Sequence, residues 1–131
     1  MAEKFVRFVV NDKEPVTGEV IGFFKAAYSL RRSELASVPD AAYLNELLAW
    51  FDSNLDAPNK FSKANRPHRH GKAISWFKPS ALEHIAKSRE LLELMLRYSI
   101  QSEMIVTSKP GIMVYEDEYQ VAAIPFRSKD F

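Results

Sequence analysis

The chain has 131 residues, a length that favours a single domain spanning residues 1–131. Hydrophobic residues make up 47% of the chain and aromatic residues 12%, which argues against intrinsic disorder. The chain has no Cys, which excludes a disulfide framework and thiolate chemistry, and its formal net charge is only +1.

The first predicted elements are a strand and a helix. Lys4–Val10 is rich in β-branched and aromatic residues, which predicts a strand covered on both faces. Thr17 is a suitable cap for a helix that begins at Gly18 and ends with Arg31 and Arg32 in its last turn. The buried stripe predicted for this helix is Val20, Phe23, Phe24, Ala27 and Leu30.

A second helix has the clearest amphipathic pattern in the chain. Ser37 with Pro39 and Asp40 forms a capping pattern at its start. Tyr43 and Trp50 flank the apolar stripe, and we interpret them as residues of helix–helix packing. The stripe itself is Leu44, Leu47, Leu48, Phe51 and Leu55.

A basic segment follows, in which residues 57–72 form a long loop. No acidic residue occurs from Ala57 to Leu82, although the rest of the chain has an acidic excess. A loop of this length in a small domain is usually functional or disordered. The basic residues of the acid-free run are Lys60, Lys63, Arg66, Arg69, Lys72 and Lys78.

From Ala73 onward, the sequence predicts a strand, a helix and three strands. Ala73–Phe77 is a short strand, and a capping box at Ser80 begins a helix that runs to about Tyr98. Its core face is predicted to be Ile85, Leu92, Met95 and Leu96, widened by Leu82, Leu91 and Leu94. The final strands are Met104–Thr107, Ile112–Tyr115 and Tyr119–Ile124, with a type II turn at Pro110-Gly111 and a frayed tail at 127–131.

This order of elements predicts an α+β fold. The strand–helix–strand unit in the middle is long enough for a right-handed parallel crossover, and the last two strands favour an antiparallel hairpin. We therefore expect a mixed sheet of about five strands with three helices packed on it.

Two segments carry a resemblance to known proteins. They are AISWFK at Ala73–Lys78, followed by Glu83-His84, and PGIMVYEDEYQVAAIPF at Pro110–Phe126. Together with Trp50-Phe51 and Asn54-Leu55, they resemble a group of small uncharacterised bacterial proteins. The resemblance implies a bacterial cytosolic origin and assigns no role to any residue.

The basic loop is the first candidate site. Its cations recur at every third position, and Trp76 offers an aromatic face close by in sequence. Cations beside stacking surfaces are typical of single-stranded nucleic-acid binding. The preferred ligand contacts are Arg66, Arg69, Lys72 and Trp76, and the alternative is a solvated loop that balances the acidic remainder.

Two further groups of residues are weaker candidates. His68 and His70 would project to one side of an extended segment, as metal ligands must, but the neighbouring Arg side chains repel a cation. We therefore predict His68 and His70 as ligand-binding candidates, with no metal and no cofactor. Three roles stay open for the acidic run Glu116-Asp117-Glu118. It could bind a cation, form ion pairs with the basic loop, or keep a turn solvated. His84 is expected at the surface or as a partly buried, hydrogen-bonded histidine.

Three function hypotheses follow. The first is a cytoplasmic binding or regulatory module whose basic loop engages nucleic acid, a phosphorylated small molecule or an acidic protein. The second is a small hydrolase or transferase centred on His68, His70, Glu116 and Asp117. The third is a structural homodimer built on an exposed strand edge or helix face. No segment has the roughly 20 apolar residues of a membrane span.

Overall fold

A computed structural model describes residues 3–13, 20–55 and 73–126. Over these ranges the chain has an α+β fold, as predicted, in which two strands and two helices are followed by a strand, a helix and three strands. The elements are β1 Phe5–Lys13, β2 Val20–Gly22, α1 Phe23–Ser33, α2 Val38–Asn54, β3 Ile74–Phe77, α3 Leu82–Leu96, β4 Ser102–Thr107, β5 Ile112–Glu116 and β6 Gln120–Ile124.

The chain divides into two compact units. The first comprises Met1–Arg7, Asp56–Leu82 and Val106–Phe131, and the second comprises Phe8–Leu55 and Glu83–Ile105. The single domain predicted over residues 1–131 stays a prediction. The predicted loop at 57–72 and the predicted tail at 127–131 lie outside the described residues.

The first unit is built on antiparallel strand pairing. Its strands follow the order β1, β3, β6 and β5, with Val6 opposite Phe77 and Trp76 opposite Val121. The β5–β6 pair is the predicted C-terminal hairpin, and its register shifts between Met113 and Tyr115. The centre of this sheet is β6, where Val121, Ala122 and Ala123 are all buried.

The second unit contains the large apolar core. Its strand pairing joins the later part of β1 to β2, with Val9 opposite Gly22. The α2 prediction is confirmed: Ser37 caps the helix by accepting a hydrogen bond from the Asp40 amide, and Leu55 caps its other end. The largest fully buried apolar side chains of this unit lie on α2 and α3, and they are Leu44, Leu47, Leu48, Leu91, Leu94 and Met95.

The predicted start of the first helix is wrong. Val20–Gly22 forms strand β2, and α1 begins at Phe23 with Gly22 as its N-cap. The β-branched residues Val20 and Ile21 suit a strand, and pairing with β1 outweighs the weak helical pattern. Thr17, the predicted cap, lies outside the described residues, and the Gly22 cap makes no side-chain hydrogen bond.

The predicted core face of α3 is confirmed in part, because Leu91, Leu94 and Met95 are buried as expected. Leu82 and Leu96 are 74% and 54% exposed, although both were expected in the core. Leucines occur on several sides of this helix, so apolar spacing alone does not select one face. The buried face comprises His84, Ser88, Leu91, Leu94 and Met95, which recur at helical spacing.

None of the helices in the described part of the chain is both long and apolar enough to cross a membrane.

Candidate functional site

Most of the residues singled out from the sequence fall on the segment before β3. Arg66, His68, Arg69, His70 and Lys72 lie outside the described residues. The remaining ligand-binding candidate, Trp76, is on β3 in the first unit.

Trp76 lies beside an arginine that the sequence analysis did not select. The pairing of Val6 with Phe77 places Arg7 of β1 across from Trp76 on the same side of the two strands. The guanidinium carbon of Arg7 is 5.8 Å from the centroid of the Trp76 ring, within the range of a cation–π interaction. We call these two residues the Arg7–Trp76 pair.

The donors of the Arg7–Trp76 pair have no acceptor among the residues that the structure describes. The indole Nε1 of Trp76 is buried and has no hydrogen-bond partner among the described residues. Over those same ranges no carboxylate forms an ion pair with Arg7. Burial lowers the pKa of Arg7, because the partly desolvated guanidinium loses hydration. An unmet buried donor costs about 1–3 kcal/mol, which favours a bound acceptor at this place.

The sequence contained one signal for Arg7 that we did not use. Arg7 interrupts an apolar strand, KFVRFVV, in which residues on both faces are expected to be covered. A cation at such a position requires a partner or a ligand. From the sequence we assigned no role to Arg7, so its pairing with Trp76 was missed.

The acidic run is a structured turn held by Asp117. One carboxylate oxygen, Oδ1, accepts hydrogen bonds from the backbone amides of Tyr119 and Gln120 at 2.9 and 3.0 Å. The other, Oδ2, accepts from the Tyr115 hydroxyl at 2.8 Å and from the Gln120 side-chain amide at 3.1 Å. Both oxygens are therefore engaged within the turn, which leaves Asp117 poorly suited to proton transfer.

These hydrogen bonds set the ionisation of Asp117. Partial desolvation acts to raise its pKa, but the hydrogen bonds from Tyr119, Gln120 and Tyr115 together outweigh it and hold the pKa below the ordinary value of 3.8. A group whose pKa is lowered in the folded state stabilises the fold above its unfolded pKa. That stabilisation is lost as the pH falls from 3.8 through the lowered value.

Replacing Asp117 with Asn is therefore expected to destabilise the protein at neutral pH, where the ionised acceptor is lost. The difference in free energy of unfolding between wild type and D117N should shrink as the pH falls below 3.8. Urea denaturation at several pH values measures it. The control is Glu118→Gln, which removes an exposed acid of the same turn. A constant D117N difference across this pH range would contradict the structural role of the charge.

The other acids of the turn are more accessible. Glu116 forms an ion pair with Lys78 at 2.6 Å, and Glu118 is exposed. Lys78 belongs to the acid-free run, so one cation of that run contacts the acidic turn. Contact between the turn and residues 57–72 stays a prediction.

His84 is a structural residue in the second unit. It is buried, its Nε2 donates to the Asn54 carbonyl oxygen at 2.7 Å, and its ring meets the Trp50 ring edge to face at 4.8 Å. Tyr43 donates to Glu90, which raises the pKa of Tyr43 to about 12. These contacts join α2 to α3 and confirm that Tyr43 and Trp50 mediate helix packing.

Metal ligands do not cluster in the described ranges: no group of three or more His, Cys, Asp or Glu residues there could hold a metal ion. Among the described residues, we take the first unit's Arg7–Trp76 pair as the candidate ligand site. No family model, curated protein or solved structure matches the chain, so its resemblance to small bacterial proteins stays an expectation.

Proposed function

We propose that the protein is a binding module for a phosphate-bearing ligand, with the Arg7–Trp76 pair as a primary contact. The observation that carries this proposal is that the half-buried guanidinium and the buried indole N–H have no acceptor within residues 3–13, 20–55 and 73–126. A phosphate group supplies several acceptor oxygens and a negative charge, and it suits the planar fork of an arginine.

The sequence around Trp76 supports an anionic ligand. The acid-free run from Ala57 to Leu82 contains Trp76, and Lys72 precedes it by only four positions. Concentrated cations attract phosphates and raise association rates. Arg66, Arg69 and Lys72 remain the proposed additional contacts. A phosphorylated small molecule and single-stranded nucleic acid share this chemistry, and cytoplasmic location is part of the same proposal.

The hydrolase or transferase hypothesis has less support. It requires a carboxylate that is free to transfer a proton or to hold a metal. Both Asp117 oxygens accept hydrogen bonds within their own turn, and Glu116 is paired with Lys78. His68 and His70 lie outside the described residues, so their role stays a prediction.

Intrinsic fluorescence provides a direct test. The chain has two tryptophans, so Trp50→Phe leaves Trp76 as the only indole. Titration of this variant with pyrophosphate, a nucleoside triphosphate and a short single-stranded oligonucleotide at low salt is expected to give a saturable change in Trp76 emission. Steep loss of oligonucleotide affinity with added salt would identify nucleic acid, because many phosphates then release counterions.

Substitutions at the pair should weaken binding measured by calorimetry. Arg7→Met removes a charge-assisted hydrogen bond, which corresponds to a loss of about 10-fold to 100-fold in affinity. Trp76→Phe keeps an aromatic ring but removes the N–H donor and should also reduce affinity.

The matched control is Arg31→Met. Arg31 lies 4.8 Å from the centroid of the Tyr28 ring, but it is exposed and belongs to the second unit. It tests whether any arginine on an aromatic ring has the same effect. No saturable binding of any of the three probes, or equal losses in Arg7→Met and Arg31→Met, would overturn the proposed function.

A further inference from the structure

We propose that a second copy of this chain docks on the outer edge of β5, with the two β5 strands antiparallel about a twofold axis. This inference is independent of the proposed ligand site, because it rests on the other end of the first unit's strand order. The occupant is identified by three features of β5: its open edge, its apolar side chains and its charges.

The edge is the first feature. The strand order of the first unit ends at β5, and over the described ranges β5 pairs with β6 alone. An edge strand presents amide and carbonyl groups that can pair with another chain. Natural proteins usually protect such edges with charged residues or proline along the strand.

The apolar surface is the second feature. Ile112 and Met113 of β5 are 52% and 41% exposed, and Phe126 beyond β6 is also exposed. Met113 and Phe126 line an apolar cleft of about 520 Å³ together with Pro110 and Gly111. Large exposed apolar groups grouped along one edge are typical of an interaction site.

The charges indicate a second copy as the occupant. Exposed Lys109 precedes β5, and exposed Glu118 follows it. In a twofold antiparallel arrangement, the Lys109 end of one strand faces the Glu118 end of the other, and both ends are matched at once. The edge is therefore complementary to itself, whereas a parallel arrangement would place like charges together.

The register of the strand limits the strength of this dimer. The shift between Met113 and Tyr115 interrupts the regular pairing of a five-residue strand. Interfaces that are small are usually transient. We therefore expect a reversible dimer that is populated at micromolar concentrations and above.

Sedimentation velocity over a concentration series tests this arrangement. The wild-type chain should shift from monomer to dimer, and Met113→Lys should remain monomeric because it places a charge on the edge. Met104→Lys is the control, since Met104 is an exposed methionine of β4 in the second unit. It should dimerise like the wild type. A wild type that is monomeric throughout, or a Met113→Lys variant that still dimerises, would overturn the proposal.

A charge exchange tests the antiparallel geometry without altering apolar packing. Lys109→Glu alone and Glu118→Lys alone should each weaken the dimer several-fold, because each sets like charges together. The double variant K109E/E118K restores opposite charges and should recover the wild-type dissociation constant. Failure of this recovery would exclude the twofold antiparallel pairing even if a dimer forms. Circular dichroism of each variant establishes that it is folded.

Discussion

Replacing Leu48 with Ala is expected to lower the free energy of unfolding by about 2–5 kcal/mol, the range for a fully buried leucine. Leu48 is 0% exposed and lies at the centre of the α2 stripe. The substitution removes apolar contacts and leaves a cavity that the surrounding helices fill only in part. Urea denaturation followed by circular dichroism measures the change.

The control for Leu48 is Leu35→Ala. Leu35 is 74% exposed and lies between α1 and α2, so the same truncation there removes little buried surface. We expect its free energy of unfolding to remain within about 0.5 kcal/mol of wild type. Equal effects in the two variants would show that the register of α2 is wrong.

Replacing Gly111 with Ala is expected to destabilise the first unit by at least about 1–3 kcal/mol. Gly111 has a φ of 132°, a conformation that residues with a side chain rarely adopt. A Cβ atom there would lie 2.1 Å from the Ile124 carbonyl oxygen, so backbone would have to move. The start of β5 would then separate from the end of β6.

Gly22→Ala is the matched control for this strain. Gly22 has a φ of −65°, and the atom nearest to an added Cβ is the Lys25 Cβ at 3.9 Å. Alanine fits that position, and the reduced freedom of the unfolded chain favours it slightly. Thermal unfolding should therefore show a lower midpoint for Gly111→Ala and little change for Gly22→Ala. A similar midpoint in both would contradict the close approach at Gly111.

Leu48 and Gly111 lie in different units, so the two variants also test the predicted single domain. If residues 1–131 unfold cooperatively, both substitutions shift one common transition. Two transitions, each sensitive to one substitution, would indicate two domains.

The elements predicted correctly are those whose signals are local. The α2 helix has a cap at Ser37 and a single apolar stripe, and the structure confirms both. The β5–β6 hairpin is delimited by Pro110-Gly111 and by the acidic turn, and it forms as expected. In each case a few neighbouring residues determine the conformation.

The predictions that failed depend on contacts distant in sequence. Val20 and Ile21 join a strand because β1 offers hydrogen-bond partners, which no local pattern reveals. The orientation of α3 depends on which of its several apolar faces is covered. The Arg7–Trp76 pair arises from strand pairing between residues far apart along the chain, and neither residue predicts the other.

The turn at Asp117 has a consequence for the order in which the chain folds. Among the described residues, its carboxylate accepts hydrogen bonds from positions 115, 119 and 120, so the β5–β6 hairpin contains the contacts that close it. Closing so short a loop loses little chain entropy, and hairpins form within about 1–10 μs. Pairing of β6 with β3 places Trp76 opposite Val121, which lies a long way along the chain. Closing this longer loop costs far more chain entropy. We therefore expect the β5–β6 hairpin to form before β6 pairs with β3.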